Sequence, residues 1–376
     1  MYGAAMKVLQ VVPQLSAGGV ERTTIEIAQA LTAAGHEAHV ASAGGRLEAE
    51  LAEAGGILHL LPVDSKNPFT IWQNASRLGQ LIDALDIDIV HVRSRAPALS
   101  CAMAVKTRDA KYVTTYHGIY NATSALKRWY NASMTRSDAI IANSQFTADH
   151  IIAEHGTDKA KITVIARGVD MARFDPAHIS AQEIAAQRAI WNVPPSAPLY
   201  LLPGRLTGWK GQKIAIAALA QTDDKTSVLV CLGDAQGRDD YVGQLWDIAY
   251  DLGVTDRLRI PGHSADMPVA YSCADYVLSC STDPEAFGRV AAEAQAMGKW
   301  VIASDHGGAR ETVIDGVTGA RVTPSDVAAL ATALTDGASR AFSPKTSRAH
   351  IMENFSDTAM QDAVLQLYDT LLSKPR

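Results

Sequence analysis

Two glutamates eight residues apart, Glu285 and Glu293, lie in the segment of this sequence that is most specific in its chemistry. The segment 283–298 follows a predicted strand and opens a helix that we predict over 290–297. The start of such a helix favours a phosphate, because unpaired backbone N–H groups and the positive end of the helix dipole meet there. These N–H groups belong to Phe287, Gly288 and Arg289. A carboxylate on each side of a phosphate can accept hydrogen bonds from hydroxyls of a sugar and of a ribose. The spacing alone also fits an amphipathic helix whose glutamates face solvent.

Three further segments follow predicted strands and carry residues that suit the same chemistry. Arg205 and Lys210, bracketed by glycines that let the backbone approach closely, suit a diphosphate. Gly18 and Gly19 stand near the predicted start of the first helix, where a double glycine also fits a simple tight turn. His117 follows another predicted strand, and a histidine in that position can equally be a buried, hydrogen-bonded residue.

Short apolar runs alternate with helical patterns along the chain, which predicts parallel sheets covered on both faces. The first series of predicted strands is 7–12, 37–42, 58–62, 87–92, 112–116, 139–142 and 162–165. The second series is 199–203, 227–232, 258–260, 276–279, 300–303 and 319–322. We therefore expect an α/β protein with two doubly wound Rossmann-like domains, 1–172 and 173–354, and a C-terminal helix in 355–376 that packs back toward the first domain. Ligands bind beyond the carboxyl ends of such strands, so two facing sheets suggest a site in the cleft between them.

The four segments, in their order along the chain, resemble those of retaining glycosyltransferases of the GT-B fold, in particular glycosyltransferase family 4. The segment 283–298 is similar to the E-x7-E element of that family, and 204–211 is similar to its G-R-x4-K-G element. The loop with Gly18 and Gly19 resembles a G-G-x-E loop, and residues 115–118 resemble a T-x-H-G element.

This resemblance implies a donor, a reaction and a role for each residue. The co-substrate would be a nucleotide-diphosphate sugar, with no cofactor and no metal, and the anomeric configuration would be retained. Glu285 would orient the sugar rather than act as a covalent nucleophile, and His117 would hydrogen-bond a sugar hydroxyl. The leaving phosphate would accept the proton of the acceptor. The residues expected to bind the donor are Gly18, Gly19, Arg205, Lys210, Phe287, Gly288, Arg289 and Glu293.

A narrower resemblance concerns 91–97 and 117–120, which look like parts of lipopolysaccharide core glycosyltransferases of alphaproteobacteria, some of them mannosyltransferases. It implies GDP-mannose as donor and a lipopolysaccharide core, or a related anionic glycolipid or oligosaccharide, as acceptor. The stretch 93–136 independently carries eight basic residues and one acid, which suggests an anionic partner, although a solvated basic face fits equally. Four residues are expected to receive the acceptor or an anionic membrane surface: Arg93, Arg95, Lys127 and Arg128.

The composition of the chain and the motifs that it lacks argue against several other classes of protein function. The chain is 47% hydrophobic and 20% charged with a net charge of -6, as in globular proteins, and nothing predicts a nucleic-acid partner. The N-terminus is not typical of a secretory signal and no long apolar window occurs, so we expect a cytoplasmic protein, with peripheral association at the inner face of the cytoplasmic membrane as a further hypothesis. Asp86 and Asp88 match a D-x-D metal motif but lead into a predicted buried strand, so we interpret them as structural.

Three other functions remain open at this stage. A nucleotide-sugar 2-epimerase shares the two-domain fold and performs acid–base chemistry on the donor alone. A nicotinamide oxidoreductase is also built on doubly wound domains, but its G-x-G-x-x-G fingerprint does not occur here. A non-catalytic nucleotide-sugar-binding protein would keep the donor residues without transfer.

Overall fold

The chain divides into two compact units, of which the first is discontinuous in sequence. Unit 1 comprises Met1–Ala166 and Thr358–Arg376, and unit 2 comprises Arg167–Asp357. Each unit is built around its own parallel sheet, so the predicted fold class of two doubly wound α/β domains is confirmed. The computed structural model describes residues 5–16, 18–120, 122, 124–336 and 342–373.

Unit 1 contains a sheet of seven parallel strands. These are β1 (Lys7–Val11), β2 (Glu37–Ser42), β3 (Ile57–Leu60), β4 (Ile89–Val92), β5 (Lys111–Tyr116), β6 (Ala139–Ala142) and β7 (Ile162–Val164). The order is β3-β2-β1-β4-β5-β6-β7, so the direction of winding changes between β1 and β4. Val8 enters one apolar cluster while Leu9 and Val11 enter another. Both faces of the sheet are therefore covered, which explains the continuous apolar runs in the sequence.

In the part of unit 1 that the structure describes, six α-helices connect these strands. They are α1 (Gly19–Ala33), α2 (Glu48–Glu53), α3 (Pro68–Leu85), α4 (Arg95–Val105), α5 (Ala125–Asn131) and α6 (Gln145–His155). Local chemistry sets the ends of α3. The Asn67 side chain accepts a hydrogen bond from the backbone N–H of Phe69, Pro68 occupies the first turn, and Asp86 ends the helix in a left-handed conformation. The Asp88 carboxylate accepts a hydrogen bond from the Lys7 backbone N–H over 2.7 Å.

Unit 2 contains a sheet of six parallel strands. These are β8 (Leu199–Pro203), β9 (Val228–Leu232), β10 (Leu258–Gly262), β11 (Tyr276–Ser279), β12 (Trp300–Ser304) and β13 (Gly319–Val322). The order, β10-β9-β8-β11-β12-β13, repeats the winding of unit 1, and its direction changes between β8 and β11. The helices are α7 (Ala181–Ile190), α8 (Gln212–Gln221), α9 (Asp239–Asp251), α10 (Met267–Cys273), α11 (Arg289–Ala296), α12 (Ala309–Thr312), α13 (Val327–Asp336) and α14 (Pro344–Asn354).

The last helix, α15 (Asp357–Leu372), supplies part of the core of unit 1 although it follows unit 2 in sequence. Met360, Val364 and Tyr368 are buried at intervals of four residues, which places them on one face of the helix. They join an apolar cluster that includes Val8 and Ile89 of the sheet. Among the described residues, no helix is both long and apolar enough to cross a bilayer.

Candidate functional site

The order of the sheet in unit 2 brings two distant segments together. Strands β8 and β11 are neighbours in register, with Tyr200 opposite Tyr276, and both are parallel. Their following loops therefore leave the same edge of the sheet, at the point where the winding changes direction. Open α/β sheets bind ligands at such a point, beyond the carboxyl ends of the strands. The first loop carries Arg205 and Lys210, and the second carries Glu285.

Lys210 and Glu285 form an ion pair in this place. The Lys210 Nζ lies 2.7 Å from the Glu285 Oε1, and the two side chains are only 13% and 19% exposed. The Ser281 hydroxyl donates to the same carboxylate oxygen. The Lys210 ammonium also lies 4.3 Å from the centre of the Trp209 ring. The sequence identified Lys210 and Glu285 but not their pairing, and it missed both Ser281 and Trp209.

Glycines allow these loops to pack backbone against backbone. A Cβ on Gly211, whose φ is +79°, would lie 2.0 Å from the backbone oxygen of Cys280. A Cβ on Gly308 would lie 2.5 Å from the Cα of Phe287. The Gly308 backbone N–H donates to the Glu285 backbone oxygen over 2.8 Å. Because no side chain fits at either glycine, the loop that carries Glu285 is held by direct backbone contacts on two sides.

Glu293 lies one turn into α11 and is buried. Helix α11 begins at Arg289, after Gly288, which is one residue earlier than predicted. The Arg289 side chain contacts the Glu293 Oε1, with its Nη2 at 2.8 Å, and the Tyr271 hydroxyl donates to the Glu293 Oε2 over 2.9 Å. Burial and the Glu293 charge raise the pKa of Tyr271 well above its usual value, so this hydroxyl stays protonated. Tyr271 lies on α10, and no sequence motif indicated a role for it.

The remaining residues predicted to bind a donor lie at the ends of strands or helices. Arg205 follows β8 by two residues and its side chain is exposed. In unit 1, Gly18 precedes α1 and Gly19 is its first residue. His117 directly follows β5 and is partly buried. The residues after β1 and β5 thus lie at the carboxyl edge of the sheet of unit 1, as those after β8 and β11 do in unit 2.

Comparison with known proteins identifies the family. The family models "Glycosyltransferase Family 4" and "Glycosyl transferases group 1" match residues 17–173 and 183–348. The crystal structure of a glycosyltransferase from Rickettsia africae ESF-5 is 35% identical to this chain and superposes with a TM-score of 0.90, covering 99% of this chain and 100% of that one. The chain belongs to glycosyltransferase family 4. Its two Rossmann-like domains have the GT-B fold.

Two further proteins are similar to this family 4 member. HepE (Alr3699) of Anabaena, solved in complex with UDP, is 26% identical with a TM-score of 0.85, covering 97% of this chain and 100% of that one. A D-inositol 3-phosphate glycosyltransferase of Xylanimonas cellulosilytica is 36% identical over 201 residues, which are 53% of this chain and 48% of the relative. The chain spans about half the length of the curated relatives it matches.

The structure corrects the role expected for Arg93 in this family 4 member. Arg93 is one of the largest fully buried side chains, at 2% exposure, and its Nε donates to the Gln10 Oε1 over 2.7 Å. It follows β4 directly and lies inside unit 1, so it cannot belong to an exposed surface that meets a membrane. Arg95 is partly buried, donates to the Asn131 side chain over 2.9 Å and lies over the Tyr120 ring.

Carboxylates from other elements neutralise part of the positive charge of the basic stretch 93–136. Arg128 lies on α5 with its side chain 60% exposed, but its Nε is 2.8 Å from the Glu154 Oε1. Arg108 donates two hydrogen bonds of 2.7 Å to Asp83. Both acids come from elements outside the stretch. Lys127 is exposed on α5, and its expected contact with an acceptor or a membrane surface stays a prediction.

Among the described residues, no group of three or more histidines, cysteines or carboxylates is arranged to hold a metal ion. The two aspartates that match a D-x-D motif stabilise local backbone instead. Asp86 terminates α3 and Asp88 binds the Lys7 N–H.

Proposed function

We propose that this family 4 member transfers a hexose from a nucleotide-diphosphate sugar to a hydroxyl of an anionic acceptor, with retention of configuration and without a metal. The observation that carries the proposal is the Lys210–Glu285 pair at the point where the winding of the sheet in unit 2 changes direction. A cation that neutralises a diphosphate and a carboxylate that accepts bonds from sugar hydroxyls are in contact there. Glu293 lies in the helix that begins four residues after Glu285.

The proposed mechanism assigns the charge of the leaving diphosphate to Lys210, Arg205 and the start of α11. These groups stabilise negative charge as the bond between the sugar and the phosphate breaks. Glu285 accepts hydrogen bonds from the sugar hydroxyls and fixes the ring, while the buried Glu293 accepts them from the ribose. The leaving phosphate takes the proton of the attacking acceptor hydroxyl on the same face of the sugar.

The family resemblance suggests further roles in this mechanism for residues of unit 1. The loop with Gly18 and Gly19 lets backbone N–H groups approach the phosphates at the start of α1. His117 donates a hydrogen bond to a hydroxyl of the transferred sugar and supports the charge that develops in the transition state.

GDP-mannose and UDP-glucose are the two donors to compare first. The resemblance of 91–97 to mannosyltransferases favours the former, and the similarity to HepE, which was also solved with UDP-glucose, favours the latter. We expect one of GDP-mannose, UDP-glucose, UDP-galactose and UDP-N-acetylglucosamine to raise the melting temperature clearly more than the other three. A ligand at 100 times its Kd stabilises the folded state by about 2.7 kcal/mol. Four equal shifts within error would contradict a specific donor site.

Transfer itself is tested with the preferred donor and phosphorylated glycolipid or oligosaccharide acceptors, including a lipopolysaccharide core and an inositol phosphate. We propose an anionic acceptor because Lys127 is exposed on α5 and because the curated relatives are named for D-inositol 3-phosphate. Release of the nucleoside diphosphate should require the acceptor, and NMR should show a product with the anomer of the donor. Acceptor-independent turnover would indicate a 2-epimerase, binding without turnover a non-catalytic protein, and an inverted anomer a different mechanism.

We also propose that α5 contacts an anionic membrane surface from the cytoplasmic side. Leu126 and Trp129 are 76% and 51% exposed on this helix, and Lys127 is exposed between them. Apolar and aromatic side chains beside cations suit the headgroup region of anionic lipids. We expect flotation with anionic vesicles to exceed flotation with neutral ones and to fall in the double variant Leu126→Ser/Trp129→Ser. The control Trp72→Ser, at an aromatic residue of unit 1 that is 64% exposed, should float like the wild type. Equal binding to neutral and anionic vesicles would contradict the proposal.

A further inference from the structure

A chain of three buried polar side chains links the last helix to the strand that precedes His117. The Tyr368 hydroxyl of α15 lies 2.5 Å from the His91 Nδ1, and the His91 Nε2 lies 2.6 Å from the Thr115 Oγ1. Tyr368 and His91 are both 0% exposed, and Thr115 is 4% exposed. All three belong to unit 1. Nothing in the sequence motifs or in the family comparison gives Tyr368 a role.

The protonation state of His91 sets the direction of the two hydrogen bonds that link Tyr368, His91 and Thr115. Burial lowers the pKa of His91 well below its usual value, and the nearby side chains of Arg93 and His117 lower it further. His91 is therefore neutral, with one ring nitrogen that donates and one that accepts. Whichever tautomer is present, one neighbour donates to the ring and the other accepts from it. Removing the Tyr368 hydroxyl would leave a buried ring nitrogen without its partner and would free the tautomer to change.

Thr115 connects this chain to the candidate site. Thr115 lies two residues before His117, and alternate residues along an extended segment share one face of a sheet. Strand β5 ends at Tyr116, so His117 depends on the end of the strand for its position. His91 lies on β4, the neighbour of β5, and is close enough to His117 for the two rings to influence each other electrostatically.

We propose that Tyr368 is a positioning residue of this site, which acts through His91 and Thr115 to fix the end of β5 and the ring of His117. The inference rests on the proposed function in so far as His117 contacts the transferred sugar. On this basis α15 has two roles. Its apolar face covers the sheet of unit 1, and its tyrosine hydroxyl sets the hydrogen-bonding pattern beneath the site.

The variant Tyr368→Phe removes the hydroxyl and keeps the ring that packs in the core. We expect kcat to fall by about 10- to 100-fold, because small displacements of catalytic groups lower the rate by such factors. The KM for the donor should stay within about twofold of the wild type. The matched control is Tyr112→Phe. Tyr112 is also buried in unit 1 and its hydroxyl donates to the Ala98 backbone oxygen over 3.0 Å, so the variant also loses one buried hydrogen bond. The control should lower the melting temperature similarly and leave kcat unchanged.

A second readout does not depend on activity. In NMR spectra of the ring nitrogens of histidine, Tyr368→Phe should shift the signals of both His91 and His117, and Tyr112→Phe should shift neither. Thr115→Val interrupts the network from its other end and should reproduce both effects. Thr115→Ser keeps a hydroxyl and should behave like the wild type. Thr115→Val also provides the test if Tyr368→Phe does not fold.

The outcomes separate this inference from the proposed function. If His117→Ala transfers sugar at the normal rate, the proposed role of His117 is wrong, and the NMR shifts still decide whether Tyr368 positions its ring. If His117→Ala is inactive while Tyr368→Phe and Thr115→Val keep the normal kcat and the normal His117 signal, the inference is wrong and α15 is only a cover.

Discussion

Replacing Glu285 by alanine is expected to lower kcat for sugar transfer by about 100- to 1,000-fold, the usual cost of removing a group that stabilises the transition state. Glu285 accepts hydrogen bonds from both Lys210 and Ser281, so its carboxylate is held in one position before any donor binds. The loss should appear mainly in kcat, because fixing the sugar ring matters most when the glycosidic bond breaks. Release of the nucleoside diphosphate in the presence of acceptor measures it.

Glu353→Ala is the control for this variant. Glu353 is exposed near the end of α14 in the same unit, and its replacement should leave kcat and the melting temperature unchanged. If Glu285→Ala transferred sugar at the full rate, the candidate site in unit 2 would have to be abandoned.

Replacing Lys210 by alanine should lower kcat by about 100-fold and weaken donor binding as well, since the diphosphate is charged in both the ground state and the transition state. The Lys210 side chain is only 13% exposed, so water screens its charge weakly. Removing this charge should therefore cost more than removing a charge from an exposed lysine. Transfer kinetics give kcat, and calorimetric titration with the nucleoside diphosphate gives the change in Kd.

Lys213→Ala is the matched control, because Lys213 lies three residues later on α8 and its Nζ bonds the Gln244 side chain over 2.7 Å. It should behave like the wild type. The double variant Glu285→Ala/Lys210→Ala should be less impaired than the sum of the two single effects, because each single change leaves a partner without its counter-charge. Strict additivity would mean that the ion pair has no part in the reaction.

The fold was largely predictable from sequence because each strand is a short apolar run between turn signals. The predicted strands 37–42, 139–142, 199–203, 276–279 and 319–322 have the observed bounds, and most others differ by one or two residues. Helices were harder to predict. Helix α4 was not identified, since its hydrophobic residues are spread around the helix and give no single apolar stripe.

The candidate site was only partly accessible from sequence. Motifs identified Lys210 and Glu285, but their contact depends on the adjacency of β8 and β11, which no local pattern reveals. Neither Tyr271 nor Ser281 belongs to a recognisable sequence motif, because each contributes only one hydroxyl. Tyr271 is also distant in sequence from Glu293, the residue that it contacts.

The expectation for Arg93 failed for a related reason. A charge count along a stretch of sequence assumes that neighbouring residues share one environment. Arg93 points into the interior against Gln10, while Arg108 and Arg128 find carboxylates from other elements. The count was right, but these three charges are buried or paired, and pairing is set by tertiary structure.

The placement of α15 in unit 1 has a consequence for how the chain folds on the ribosome. The residues of unit 1 up to Ala166 emerge first, yet the cluster around Val8 and Ile89 lacks Met360, Val364 and Tyr368 until the whole of unit 2 has been made. At roughly 5–20 residues per second, this delay is on the order of tens of seconds. During that time the nascent sheet presents an apolar face to its surroundings, and the His91 Nδ1 lacks its partner Tyr368. Chaperone binding to ribosome-bound chains should therefore persist until α15 has left the exit tunnel.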